Sequence, residues 1–381
     1  MLGRYLQRVP KRHYCDFRVY HHTARVFLDR KDIYADYDEQ GITPFKYSPF
    51  FAFLVSPLGL LPIKGAAGVF FVVNFLATIA LFALSLKLCS ERRLSARQGF
   101  LVCFLAALLV LRFIVQVWDS GQVPIIIGCL VLASLYFFSR GKEFAGAAFL
   151  SAAILFKYLP AIFIPYFLVR RRFKAAGLTL LFCAVWLLVP ALYAGLAKDI
   201  GYLGSWLPSI ARTSLDQGSY LDFKSQSFLS MILRMTTPSV CAMNLLSLGF
   251  GAALKLAYAL AFGLYLLALI PVRGRDTARL DYALLFTFIP LFNPNGWMVN
   301  FAALAFPCAV LAAYLISARR RDGFVLTCLA ASFVFTSFPN QELVGNALEN
   351  FFDTCSTVTV GALFLVAALV KLKFSPQPVR S

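Results

Sequence analysis

Apolar runs of about twenty residues recur along most of this chain, and no other feature restricts its fold so tightly. In hydrocarbon a backbone satisfies its own hydrogen bonds only as a helix or a closed barrel, and a helix needs roughly 17 to 25 apolar residues to cross. The runs 65–88, 99–118, 122–139, 174–196, 243–270, 281–297, 299–316, 323–338 and 355–371 each read as one crossing. Composition agrees: 60% of the 381 residues are hydrophobic and 14% charged, where a soluble domain carries about a quarter charged residues to hold its surface in water. A soluble globular protein is excluded. The net charge of +18 then belongs first to loops at a membrane rather than to nucleic acid.

One stretch does not read as a simple crossing. Residues 144–169 are apolar but are interrupted by Lys157 and Pro160, and basic clusters flank both ends, Arg140 with Lys142 and Arg170, Arg171, Arg172 with Lys174. Because cytoplasmic loops are rich in Lys and Arg, both ends are expected inside, with two short helices meeting near Lys157. That makes about eleven segments, an all-α polytopic bundle. Taken in this order, the inner loops hold nineteen Lys or Arg and the outer loops after residue 65 hold four, Lys198, Arg212, Lys224 and Arg234, with Lys157 at the hairpin tip counted in neither. The outer connection at 197–242 and a cytoplasmic C-terminus follow. Residues 1–64 form a first outer region and 65–381 the helical bundle, although the nine Lys or Arg of residues 1–47 run against the charge rule there. The stretch Ser48 to Pro62 is too short to span and is broken by Pro57, so it reads as a juxtamembrane or re-entrant helix.

Nine cysteines show no CxxC or Cys/His spacing, which leaves zinc and redox motifs unsupported. The chemistry concentrates instead near the start. Asp16 is followed by Phe17, Val19, Tyr20, Ala24, Phe27 and Leu28, an apolar stripe at helical spacing with a carboxylate at its head. Such a carboxylate fits an N-cap, and it also fits a general base able to take a proton from a hydroxyl.

The pattern Asp16-Phe17-x-Val19-Tyr20, Leu28, Ile33-Tyr34, Phe45-x-Tyr47-x-Pro49, Phe53 and Pro57-Leu58-x-Leu60-Leu61-Pro62 resembles the opening signature of glycosyltransferase family 87. The likeness continues through Gly121-Gln122, Ala145-Gly146, Lys157-x-x-Pro160, Gln226-Ser227 with Arg234, and Pro294 to Trp297. It implies a GT-C-like multi-helix fold with an extracytoplasmic active site, similar to mannosyltransferases that use polyprenyl-phosphate mannose. Asp16 would deprotonate an acceptor while polyprenyl phosphate leaves the sugar, with inversion of the anomeric centre, and no cofactor is implied. A transmembrane helix ahead of the Asp motif is part of the family pattern, so an apolar helix upstream of Met1 is expected.

A phosphate at the bilayer surface requires cations, and Lys157, Arg234, Arg212, Lys224 and Lys46 are the candidates. Lys157 is the most pointed, since a lysine in an apolar run is costly, although snorkelling to the interface fits it equally. Gln122, Gln226, Tyr20, Tyr47, Trp297 and Asn300 complete the expected substrate contacts; Asp119 to Gln122 also reads as an N-cap arrangement, and Trp297 as part of an interfacial aromatic belt. The family often places a histidine two or three residues after the late-loop tryptophan, where this chain has Val299 and Asn300. Its three histidines, His13, His21 and His22, all lie in the first segment. Asp36-Tyr37-Asp38-Glu39 is DxD-like but reads as a solvated linker, so no metal is expected. The expected partners are a polyprenyl-phosphate-linked sugar donor and a lipid or glycan acceptor, in the cytoplasmic membrane and without nucleic acid. The rival is a transporter or flippase of lipid-linked sugars, which would share the hydropathy and the cations, or a family member impaired in catalysis. Paired halves and ionisable residues at the midplane of several helices would mark a transporter; no repeat is visible, and Asp119, Asp199, Asp216, Asp222, Glu342, Glu349 and Asp353 read as loop or interface carboxylates.

Overall fold

A computed structural model describes residues 2–9, 16–35, 42–90, 93–238, 244–294, 296–317 and 322–375. The elements of these residues are helices; a single isolated bridge, Ser225 against Trp297, is the only β pairing among them. The chain is an all-α polytopic membrane protein. Among the described residues six helices are long and apolar enough to cross a bilayer: Ile63–Leu88, Ala96–Ser120, Phe173–Ala194, Phe250–Leu269, Met298–Ser317 and Thr357–Phe374. A seventh candidate is the pair Gly323–Ser337 and Gln341–Thr354, bent by 86° at its break.

Six or seven is fewer than eleven, because several apolar runs make helices too short to span. The 122–139 run forms the 16-residue helix Pro124–Ser139, and 144–169 forms Glu143–Phe156 and Phe163–Val169 around a 3-10 turn, Leu159–Ile162. The break has a local cause. Lys157 is fully extended at φ −158° and ψ 126°, and Pro160 cannot donate to a continuing helix. The 48–62 stretch is likewise two short pieces, Pro49–Val55 and the 3-10 helix Ser56–Leu60, the first capped by Ser48, whose hydroxyl accepts from the Phe51 amide. Sequence periodicity did not expose the 20-residue helix Leu196–Leu215 in the outer connection, which holds Pro208 in its interior.

The chain gathers into two compact units, residues 1–81 with 114–215 and residues 82–113 with 216–381. In the first unit the 13-residue helix Asp16–Leu28 buries Phe17, Tyr20, Ala24 and Phe27 along one side, the stripe expected at helical spacing. That side lies on the Ser56–Leu60 turn so closely that a Cβ at Gly59 would sit 2.9 Å from the Ala24 carbonyl carbon and the Arg25 amide. Ser48 Oγ donates to the Leu155 carbonyl at 2.6 Å, which ties the aromatic motif around Tyr47 to the helix that ends at Lys157. On the Ile63–Leu88 helix, Val69, Val72, Val73, Phe75, Leu76 and Ile79 stay exposed, a surface suited only to lipid.

In the second unit, residues 280–291 of the helix Ala278–Leu291 are buried and Met298–Ser317 is mostly enclosed. Within this apolar packing Asp281 and Lys373, both fully buried, pair at 2.8 Å. Thr277 Oγ1 donates to Asp281, and Lys373 Nζ donates to the Leu267 and Ala268 carbonyls at 2.6 and 3.0 Å, so both charges are held by neighbouring polar groups.

Candidate active site

Five of the residues singled out from the sequence, Gln122, Lys157, Lys46, Tyr20 and Tyr47, belong to the first unit and gather around the Asp16 carboxyl. Asp16 opens its helix, and its carboxylate accepts a hydrogen bond from the Gln122 side-chain amide, which stands just before the helix Pro124–Ser139. Gly121 makes this approach possible: its φ of +64° suits glycine, and a Cβ there would come within 2.8 Å of Phe17 Cβ. Burial pushes the Asp16 carboxyl above its ordinary range; the Gln122 bond and the charges of Lys157 and Lys46 pull it back in part.

Lys157 sits on the bare turn between two short apolar helices, outside both. Its ammonium is pushed down to about 8 by burial, opposed by the negative charge of Asp16 and helped by the like charge of Lys46. The three groups therefore act on one another: a carboxylate faces two cations, one half-buried and one exposed. Tyrosines close another side. Tyr20 and Tyr47 share a hydroxyl hydrogen bond of 2.7 Å, and Tyr34 Oη donates to the Tyr47 carbonyl at 2.7 Å. Burial, then the Asp16 charge, pushes the Tyr47 phenol up, so it stays a neutral donor at physiological pH. Chemically, this is a carboxylate able to take a proton, beside cations able to hold an anion.

His21 is buried and donates its Nε2 proton to the Leu61 carbonyl at 2.9 Å, a contact that fastens the Asp16 helix to the turn behind it. His13 and the DxD-like Asp36–Glu39 stretch lie outside the described residues. Arg212 is exposed on the Leu196–Leu215 helix of the same unit.

The other five nominated residues, Lys224, Gln226, Arg234, Trp297 and Asn300, belong to the second unit. Arg234 is 1% exposed and donates to the Asp222 and Ser225 carbonyls, each at 2.8 Å, and to Ser356 Oγ at 2.5 Å. Gln226, fully buried, donates through Nε2 to the Phe223 and Asp353 carbonyls at 2.8 and 2.7 Å, and its main-chain amide donates to the Gly296 carbonyl at 2.8 Å. These bonds bind the segments around 222–230, 296–297 and 353–356 into one polar cluster. Lys224 is exposed, Asn300 is buried and donates to the Trp297 carbonyl at 2.9 Å, and Trp297 is 49% exposed.

Besides the Asp281–Lys373 pair, sequence reasoning passed over three charged side chains that are buried among the described residues. Asp199 and Asp353, read as loop or interface carboxylates, are only 1% and 3% exposed, and burial pushes their carboxyls up to about 6 and about 7. Arg112, inside an apolar run, donates to Glu349 at 2.7 Å and to the Thr336 carbonyl at 3.2 Å. An arginine in a crossing helix is a signal in its own right. Helices of ordinary polarity such as Leu196–Leu215 and Gln341–Thr354 hide theirs, because only packing shows which face is covered.

The family model of glycosyltransferase family 87 matches residues 45–294. A polyprenol-phosphate-mannose-dependent alpha-(1-2)-phosphatidylinositol mannoside mannosyltransferase from Mycolicibacterium smegmatis is 31% identical over 185 residues, covering 44% of this chain and 41% of that protein. The aligned region thus spans about two fifths of the relative's length.

Proposed function

The chain belongs to glycosyltransferase family 87, and from that premise we propose that it is a membrane hexosyltransferase that takes mannose from a polyprenyl-phosphate donor and passes it to a lipid or glycan acceptor on the extracytoplasmic face. The observation that carries this reading is the Asp16 carboxylate, oriented by Gln122 and acted on by Lys157 and Lys46. An acceptor hydroxyl gives its proton to Asp16 as its oxygen attacks the anomeric carbon. The bond from that carbon to the phosphate oxygen breaks on the opposite side, and its electron pair leaves with the polyprenyl phosphate. The new glycosidic bond has the inverted configuration, and Asp16 ends protonated.

Lys157 and Lys46 neutralise the departing phosphate, which a carboxylate alone would repel. Tyr20, Tyr47 and Gln122 donate to sugar oxygens, and Arg212, exposed in the same unit, meets the phosphate of the approaching lipid. In the second unit Arg234 holds the segments around it in shape, and Lys224, Gln226, Trp297 and Asn300 supply that unit's own phosphate and substrate contacts. The relative's name, which specifies a polyprenol-phosphate-mannose donor and a phosphatidylinositol mannoside acceptor, supports the choice of mannose over other hexoses.

Membranes carrying the protein, incubated with radiolabelled polyprenyl-phosphate mannose, glucose and galactose in turn, should move label into a lipid or glycan product from the mannose donor. Movement of intact lipid-linked sugar across vesicles with no new glycosidic bond would make the protein a transporter. The face is tested by cysteine labelling in a background free of native cysteines. A membrane-impermeant maleimide should mark position 216 in intact cells and spare position 172. Labelling at 172 from outside would reverse the orientation assigned from the loop charges.

A further inference from the structure

The cluster in the second unit holds three polar atoms that are covered and have no hydrogen-bond partner: Arg112 Nε, Gln226 Oε1 and Asp353 Oδ1. They belong to one network. Gln226 Nε2 donates to the Asp353 carbonyl, Arg112 donates to Glu349 one helical turn before Asp353, and the charges of Arg112 and Glu349 are among those felt by Asp353. The orientation of the Gln226 amide is fixed by chemistry, because only its NH₂ can face the two carbonyls it meets. Its oxygen is therefore a true open acceptor.

Buried polar groups without partners cost free energy and are rare, and three in one network suit recognition of a polar ligand. The open groups are mixed, one cationic donor and two acceptors, one of them a carboxyl oxygen. A phosphate, anionic and mainly an acceptor, would face that carboxylate and be repelled. A ring of hydroxyls, each both donor and acceptor, matches the set. An aromatic platform stands beside it in the chain: Trp297, nearly half exposed, is bridged to Ser225, and the Gly296 carbonyl receives the Gln226 amide.

The cover is the helix Gln341–Thr354. It presents Glu349 and Asp353, four residues apart, to the network and leaves Leu343, Leu348 and Phe351 exposed. It is interrupted at Gly345, whose φ of +78° and ψ of 167° leave the helical region, so the helix carrying both carboxylates has a built-in joint behind them.

We propose that Arg112, Gln226 and Asp353 form a hexose subsite in the second unit, with Trp297 as its stacking face and the Gln341–Thr354 helix as its lid. The inference rests on the glycosyltransferase reading for the choice of a hexose among polyols, and the sugar recognised belongs either to the acceptor or to the donor.

The test uses the purified full chain in nanodiscs with methyl α-mannoside as probe and inorganic phosphate as the competing anion. Wild type should bind the mannoside by saturation-transfer NMR, phosphate should not displace it, and Asp353→Asn should weaken binding at least tenfold while the unfolding temperature holds or rises. That combination of signs separates recognition from structure, since asparagine removes a buried charge whose Oδ1 has no hydrogen bond. In wild type the mannoside should also protect Asp353 from a hydrophobic carbodiimide, a readout that needs no variant. Asp16→Asn should bind the mannoside as wild type does even with transfer abolished, so loss of the transferase reading and loss of this subsite are told apart. Where transfer is measured, a raised KM for the acceptor assigns the bound sugar to the acceptor, and a raised KM for the donor assigns it to the donor. Unchanged binding by Asp353→Asn, a loss of binding matched by a fall in unfolding temperature, displacement by phosphate, or carbodiimide modification indifferent to the mannoside would overturn the proposal.

Discussion

Asp16→Asn should lower mannosyl transfer by about 10² to 10⁴-fold, the range that general-base catalysis contributes, while the protein still inserts and still binds its lipid donor. Asparagine keeps the size of the side chain and can still meet the Gln122 amide, but it cannot accept the acceptor's proton. Asp16→Glu should recover only part of the activity, since an added methylene displaces the carboxylate from a hydroxyl that must lie within roughly 3 Å. Asp36→Asn with Asp38→Asn is the control, expected to leave transfer unchanged and insensitive to EDTA. Wild-type transfer by Asp16→Asn would sink the catalytic assignment. The pH profile adds an independent reading. Burial holds the Asp16 carboxyl above its ordinary value of 3.8, so kcat/KM should rise with pH through that displaced point as the base is freed. It should fall again near 8, where Lys157 loses the proton that makes it a phosphate partner. Lys157→Arg keeps its charge at high pH, so the alkaline limb should move out of the accessible range while the acid limb stays. A flat profile for wild type would contradict both roles.

The largest effect on stability should come from the pair buried far along the chain. Lys373→Met leaves the fully buried Asp281 carboxylate without its counter-ion and should destabilise the protein by about 3–5 kcal/mol. Adding Asp281→Leu removes the stranded charge and should restore most of that loss, since apolar replacements for a buried ion pair are often neutral or stabilising. The pair Lys371 with Asp322, also close at 2.7 Å but with a lysine 37% exposed, provides the contrast: Lys371→Met should cost under about 1 kcal/mol. Denaturant titration of the two single variants and the double variant forms a cycle in which the coupling energy is read directly. Additive losses at 281 and 373 would show that the two charges are stabilised separately.

The sequence by itself determined the solvent, most of the crossing helices and the apolar stripe behind Asp16. Length and hydropathy are summed over neighbouring residues, so the starts and ends of most crossing helices were legible, as was the break at Lys157 and Pro160, where a charge and a missing amide act locally. The stripe behind Asp16 was legible for the same reason, because the faces of a helix are set by its own 3.6-residue period. Tertiary structure decided what no local pattern encodes. It brought Gln122 to Asp16 across 106 positions, and it brought the charges of Lys157 and Lys46 to bear on the same carboxyl. It cut apolar runs into helices too short to span, and it buried Asp199 and Asp353 in helices whose composition reads as ordinary surface. Burial and charge proximity depend on which distant segments pack over a residue, and a carboxylate is spelled the same in the sequence whether water or a neighbouring helix covers it.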